Sequence, residues 1–138
     1  MNKSDILEFI KKHSLTVIAT SSLNNEPEAA VIEFGETNDF EIIFDTFTSS
    51  RKYKNLKENP RAAFVIGWDE DVTVQYEGIA EELSGETLER YQEAYFKKNP
   101  SAEKWANREG VVFFRVVPRW VRYSDLNKDP WEIHEFTF

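Results

Sequence analysis

The chain has 138 residues, 41% hydrophobic and 14% aromatic, a composition that favours an ordered core over disorder. It has no cysteine, which excludes disulfides, thiolate metal sites and a cysteine nucleophile. A formal net charge of −8 sets the chain as a whole against nucleic acid and anionic membranes. No apolar run approaches the roughly 18 residues of a membrane span, and Met-Asn-Lys-Ser-Asp-Ile opens without an apolar signal region, so a cytoplasmic setting is expected.

In chain order, Ser4–His13 reads as a short helix capped by Ser4, with Ile6, Leu7 and Ile10 on one face. Leu15–Thr20, Ala29–Phe34 and Phe40–Phe44 read as three strands. The short turns between them predict an antiparallel meander. Residues 51–58 read as a helix, and the nearly all-apolar stretch 62–67 as a central strand buried on both faces. Val72–Leu83 is a long strand, in which Gly78 predicts a bulge or a close backbone approach. Thr87–Lys98 is a helix with Leu88, Tyr91, Ala94 and Tyr95 on one face, and Ser101 caps a second piece containing Trp105. Val111–Val117 is a strand that Pro118 breaks. It resumes at Trp120–Tyr123, and Trp131–Phe136 closes the chain as a further strand. No repeat or linker interrupts residues 1–138, which read as one domain. Mainly β structure with peripheral helices predicts a six- to eight-stranded antiparallel barrel, closed or partly closed.

The stretch Asp45 to Pro60 breaks a local rule. Ser50 is placed as an N-cap, so Arg51 and Lys52 open the helix. Helix N-termini carry partial positive charge and favour Asp or Glu, and two cations there cost stability unless an anion sits against them. Unpaired backbone N–H groups, a hydroxyl and two cations at one helix start suit a phosphate. Residues 51–61 hold five cations against Glu58 alone, a net +4 that leaves −12 on the rest. One basic island on an acidic body suits a small anionic ligand better than a polyanion. Lys54 and Lys57 read as a solvated helix face. His13 and His134 lie far apart without ligand spacing and read as surface residues, and Asp69-Glu70-Asp71 reads as a solvated turn. No zinc-protease, α/β-hydrolase or dinucleotide fingerprint occurs.

The element order, together with Thr46, Ser50-Arg51-Lys52, Leu56 and Asn59-Pro60, resembles the pyridoxamine 5'-phosphate oxidase-like FMN-binding split-barrel flavoproteins over roughly residues 4–136. The resemblance implies a split-barrel homodimer with FMN between subunits. It implies that Thr46, Ser50, Arg51 and Lys52 hold the FMN phosphate, that Asp45 is a neighbouring cofactor contact, that Thr73 is a polar flavin contact, and that Trp120 and Arg122 lie in a flavin-facing region. Departures from the pattern bear on the substrate. Ala30, Gly35 and Asn99 stand where cationic substrate-binding residues are expected, and the Arg-x-His motif is absent. The resemblance therefore implies a relative that shares the flavin site but not the vitamin B6 site.

A flavin supplies its own electron chemistry, so no dedicated catalytic residue is required or named. The expected function is an FMN-dependent oxidoreductase exchanging electrons with a small-molecule partner, with no nucleic acid, membrane or metal involved. The alternative is a non-enzymatic flavin binder for storage or stress sensing. Relatives of this barrel also take haem or a deazaflavin. A nucleic-acid-binding barrel using the 51–61 island is disfavoured by the acidity of the remainder.

Overall fold

The computed structural model describes residues 1–138. In order, the elements are α1 (Lys3–Lys11), β1 (Leu15–Ser21), β2 (Pro27–Glu33), β3 (Gly35–Glu36), β4 (Ile42–Phe47), α2 (Arg51–Glu58), β5 (Arg61–Ile66), β6 (Val72–Glu82) and α3 (Gly85–Lys98). A 3-10 turn (Pro100–Trp105), β7 (Val111–Asp125) and β8 (Glu132–Thr137) follow. The strands form one eight-stranded antiparallel sheet, ordered β2-β1-β5-β6-β7-β4-β3, with β8 also on β7. The sheet curls into a half-barrel, the expected split-barrel class. No helix is long and apolar enough to cross a membrane.

The fifteen-residue β7 organises this sheet. One edge pairs with the whole of β6 through residues 114–125. The other edge is shared: β4 takes residues 111–116 and β8 takes residues 120–125. Inside the curl, Phe34, Phe44, Phe64, Tyr76, Phe114 and Val121 are buried. Helix α1 plugs one end with Ile6, Leu7 and Ile10, each contributing about 1.5–3 kcal/mol by burial. A smaller apolar cluster under α3 joins Tyr91 and Tyr95 to Ile43 and Phe113.

Several expectations are corrected. Asn2, not Ser4, caps α1: its side chain accepts from the Asp5 amide while the Asp5 carboxylate accepts from the Asn2 amide. The three-strand meander does not form. β1 and β2 make a hairpin, but β4 crosses to β7, where Phe44 stacks on Phe114 at 5.3 Å. Long-range aromatic packing outweighs local pairing there. β5 is central but not buried on both faces: Ala62, Phe64 and Ile66 face inward, while Ala63 and Val65 are half-buried on the outer face. Asn99, not Ser101, precedes the 3-10 turn as its cap position.

Pro118 does not break β7. The register places Gly78 opposite Pro118 and Glu77 opposite Trp120, so Arg119 is the extra residue of a bulge. A proline is tolerated where the ladder already lapses. Gly78 meets both expectations for it, because a Cβ there would lie 2.5 Å from the Val117 carbonyl oxygen.

Candidate functional site

The start of α2 is built as its sequence requires. Ser50 has extended backbone (φ −75°, ψ 153°), and its Oγ accepts from the Tyr53 amide at 3.2 Å. The Thr46 and Ser50 hydroxyls share a 2.9 Å hydrogen bond, tying the end of β4 to the helix cap. The first turn contains no acidic residue. The first intrahelical bond runs from the Lys54 amide to the Ser50 carbonyl, so the amides of Arg51 and Lys52 precede the helical ladder.

An internal anion does approach this end. Arg51 Nε lies 3.3 Å from Glu28 Oε2 on β2. The Arg51 side chain is 83% exposed and Glu28 only 14%, so the pair contributes little to stability and leaves the guanidinium largely in solvent. The Asn55 amide donates to the same Glu28 oxygen at 3.4 Å and to Thr20 Oγ1 at 3.1 Å, which holds the carboxylate in place. Lys52 is half-buried and forms no ion pair within the chain. Glu28 escaped the sequence reading, since nothing local links a strand residue to a cation 23 positions later.

Thr46 also lines a cleft of about 390 Å³ whose walls include Ile32, Asp45, Tyr95 and Trp105. The Tyr95 hydroxyl donates to Asp45 Oδ1 at 3.3 Å. Burial raises the Asp45 pKa above the usual carboxylate value, the Tyr95 hydrogen bond opposing that shift. Burial also lifts the Tyr95 phenol far above its normal range, so it serves as a donor.

The positions where the resemblance expects substrate-binding cations are filled otherwise. At Gly35 a Cβ would sit 3.1 Å from Tyr95 Cα, so no side chain fits without movement. Asn99 is buried, and its amide is spent on the carbonyls of Phe34 (2.9 Å) and Tyr95 (3.3 Å). Ala30 is half-buried on β2. The nearby Lys98 is tied to Glu36 at 2.6 Å, with both side chains largely buried.

Thr73 and Trp120 are not brought to this place. Thr73 pairs with Ser124 in the β6–β7 ladder, whereas Thr46 pairs with Val112 at the opposite end of β7. Twelve residues of strand, about 40 Å, separate the two. Thr73 Oγ1 is the one buried side-chain polar atom in the chain without a hydrogen-bond partner. Ser124 beside it is also buried and was missed, since strand register is invisible in local sequence. Trp120 lies on the same half of β7, its indole N–H donating to Glu135 Oε1 at 2.9 Å; Arg122 approaches the same carboxylate at 3.8 Å. The two histidines are linked through a run of aromatic rings. His13 packs on Phe9 at 4.6 Å, Phe9 on Tyr123 at 5.6 Å, and Tyr123 lies 6.2 Å from His134. Both are half-buried rather than on the open surface, and no group of three or more metal-ligating side chains occurs.

Comparison with known proteins decides the family. The pyridoxamine 5'-phosphate oxidase family profile matches residues 3–125. The chain belongs to that family. The pyridoxine/pyridoxamine 5'-phosphate oxidase of Thermosynechococcus vestitus is 33% identical over 89 residues, covering 64% of this chain and 40% of that protein. The chain thus spans less than half of that relative's length. Among solved structures, a heme binding protein from Mycobacterium smegmatis superposes with a TM-score of 0.84 at 16% identity, over 99% of this chain and 58% of that one. The General Stress Protein 26 from Bacillus anthracis superposes at 0.72 and 22% identity, over 97% and 98% of the two chains. At these identities the superpositions establish the fold alone.

Proposed function

We propose that this member of the family binds FMN and exchanges electrons between it and a small molecule, as a homodimer. The carrying observation is the α2 start: two cations, two early amides and the paired Thr46 and Ser50 hydroxyls, with no acid in the first turn. These groups supply the donors and positive charge that a doubly charged phosphate tail requires. The adjoining cleft, entered past Thr46 and walled by Ile32, Tyr95 and Trp105, suits a planar ring. Asp45 would stand beside that ring, with Glu33 and Lys104 also lining the cleft.

The dimer explains the remainder. Thr73 Oγ1 is buried and unpartnered, which costs about 1–3 kcal/mol unless a further molecule satisfies it. One chain cannot join that hydroxyl to its own Thr46, so in this reading Thr73 and Ser124 complete the flavin site of a second copy. The outer face of β1 and β5 supports such a seam, because Val17, Ala19, Ala63 and Val65 present small apolar side chains beside Trp120. A bound flavin supplies the electron chemistry, and the protein's contribution is to hold the phosphate, orient the ring and exclude water.

The visible spectrum of the purified protein, with mass analysis of whatever heat releases, tests this directly. The expected result is stoichiometric FMN in a dimer. Arg51→Ala should weaken FMN binding by about 1–3 kcal/mol, read by flavin fluorescence quenching. Haem or no cofactor, or unchanged FMN affinity in the variant, would overturn the assignment. Stopped-flow reduction of the bound flavin by NADH or NADPH separates an oxidoreductase from a flavin store.

A further inference from the structure

Three charged side chains on the outer face of the sheet, Arg61, Glu77 and Arg119, are exposed and form no ion pair within the chain. Register lines up Ala29, Ala19, Ala63, Glu77 and Trp120 in one row across β2, β1, β5, β6 and β7, so an apolar stretch runs directly into a carboxylate. Beside that row lies a groove of about 790 Å³ whose lining includes Ser21, Asn59, Arg61, Glu77 and Arg119. The β7 bulge shapes it. Arg119 is the extra residue, and Arg119 and Trp120 in succession both escape the interior, while Pro118 and Val121 on either side are buried. Arg61 pairs in register with Ile79, two residues along β6 from Glu77, yet the two side chains do not meet.

The groove is continuous with the apolar seam proposed for the dimer, since Ala19 and Ala63 belong to both. Closing a seam over unpaired charges is costly, and charged residues are depleted from the middle of interfaces for that reason. In a two-fold dimer, whatever pairs them must come from the same groups on the second copy. The flavin reading brings Thr73 of one copy to the Thr46 end of the other, so the strands of the two sheets run in reversed directions across the seam. Along β6, Thr73 lies at one end, and the level of Thr46, which pairs with Val112, lies just beyond Glu82, which pairs with Phe114. The midpoint falls at Gly78 and Ile79, at the bulge. A two-fold axis there carries Arg61 from the level of Ile79 to the level of Gly78 on the partner, next to Glu77.

We infer that the second copy docks on this face about a two-fold axis at the β7 bulge, with Glu77 of each copy paired to Arg61 of the other and Arg119 alongside. The inference rests on the dimeric flavin reading for the direction of the strands. The two reciprocal pairs would hold the sheets in the one register that carries Thr73 of each copy to the α2 start of the other.

The test is sedimentation equilibrium on the purified full chain, with FMN binding followed separately by fluorescence. Glu77→Arg and Arg61→Glu should each weaken the dimer about 10–100-fold, because each sets like charges opposite one another twice. An equimolar mixture of the two variants should recover dimers near the wild-type affinity, since every reversed charge then meets its opposite. Salt should act with opposite signs, loosening the wild-type dimer and tightening each single variant. Cooperative thermal unfolding of each variant alone excludes misfolding as the cause. Either variant dimerising like the wild type, or a mixture no tighter than its components, overturns the inference and leaves the flavin assignment intact. A dimer that responds as expected but takes up no FMN overturns the proposed function and leaves this contact standing. A wild-type chain that stays monomeric overturns both.

Discussion

The two ends of β7 differ in how they are made. Near Val112, Thr46, Ser50, Arg51 and Lys52, the groups proposed to hold a phosphate, fall within seven consecutive residues, fixed by one turn and one helix cap. Near Ser124, the unpartnered Thr73 reaches its neighbour only through the β6–β7 register, across about fifty residues of chain. The first end ties its hydroxyls to one another and is left with two early amides and surplus positive charge. The second buries a hydroxyl that nothing in the chain completes. A site assembled from both needs a second copy, because a single strand holds its ends apart.

The largest expected effect comes from breaking the register that defines the far end. Gly78→Ala places a Cβ 2.5 Å from the Val117 carbonyl and 2.7 Å from Val116 Cγ1, with backbone on one side. It should cost about 2–4 kcal/mol, read from urea unfolding, and flavin binding should suffer with it. Thr73→Val sharpens the comparison further because its two readouts should move in opposite directions. Removing an unsatisfied buried hydroxyl at nearly constant volume should stabilise the flavin-free protein by up to about 1 kcal/mol, while FMN affinity falls. A threonine with a purely structural role would not split these signs.

At the near end, Glu28→Gln should tighten FMN binding by about two- to fivefold at low salt, since Arg51 loses its internal anion; the gain should fade as salt screens the site. The smallest effect concerns Asp45. Its carboxyl is favoured in the protonated form by folding, so the folded wild type carries a cost that is absent below the unfolded carboxylate range and grows as pH rises through it. Asp45→Asn removes that cost. Its Tm should match the wild type in acid and slightly exceed it at neutral pH, in the absence of ligand.

The same contrast explains what the sequence disclosed. The α2 cap and its two cations were legible because capping is a local geometry with a residue signature, and the Gly78 bulge because only glycine suits that approach. Strand alternation gave the antiparallel barrel class. The crossing of β4 to β7 was not legible, because Phe44 chooses Phe114 across some seventy residues for packing that no turn signal encodes. Pro118 misled for a related reason. A proline removes a donor, but the bulge opposite Gly78 had already dispensed with the bond. Glu28 and Ser124 likewise act through neighbours distant in sequence.

The shared edge of β7 has a consequence for how the polypeptide matures. Residues 120–125 take β8 on this edge, and without it they would present an open backbone ladder flanked by Val121 and Tyr123. A chain with β8 undocked would therefore expose an adhesive strip just where Trp120 meets Glu135. Completing this half-barrel is a closing step, and protection against self-association on this edge arrives with residues 132–137.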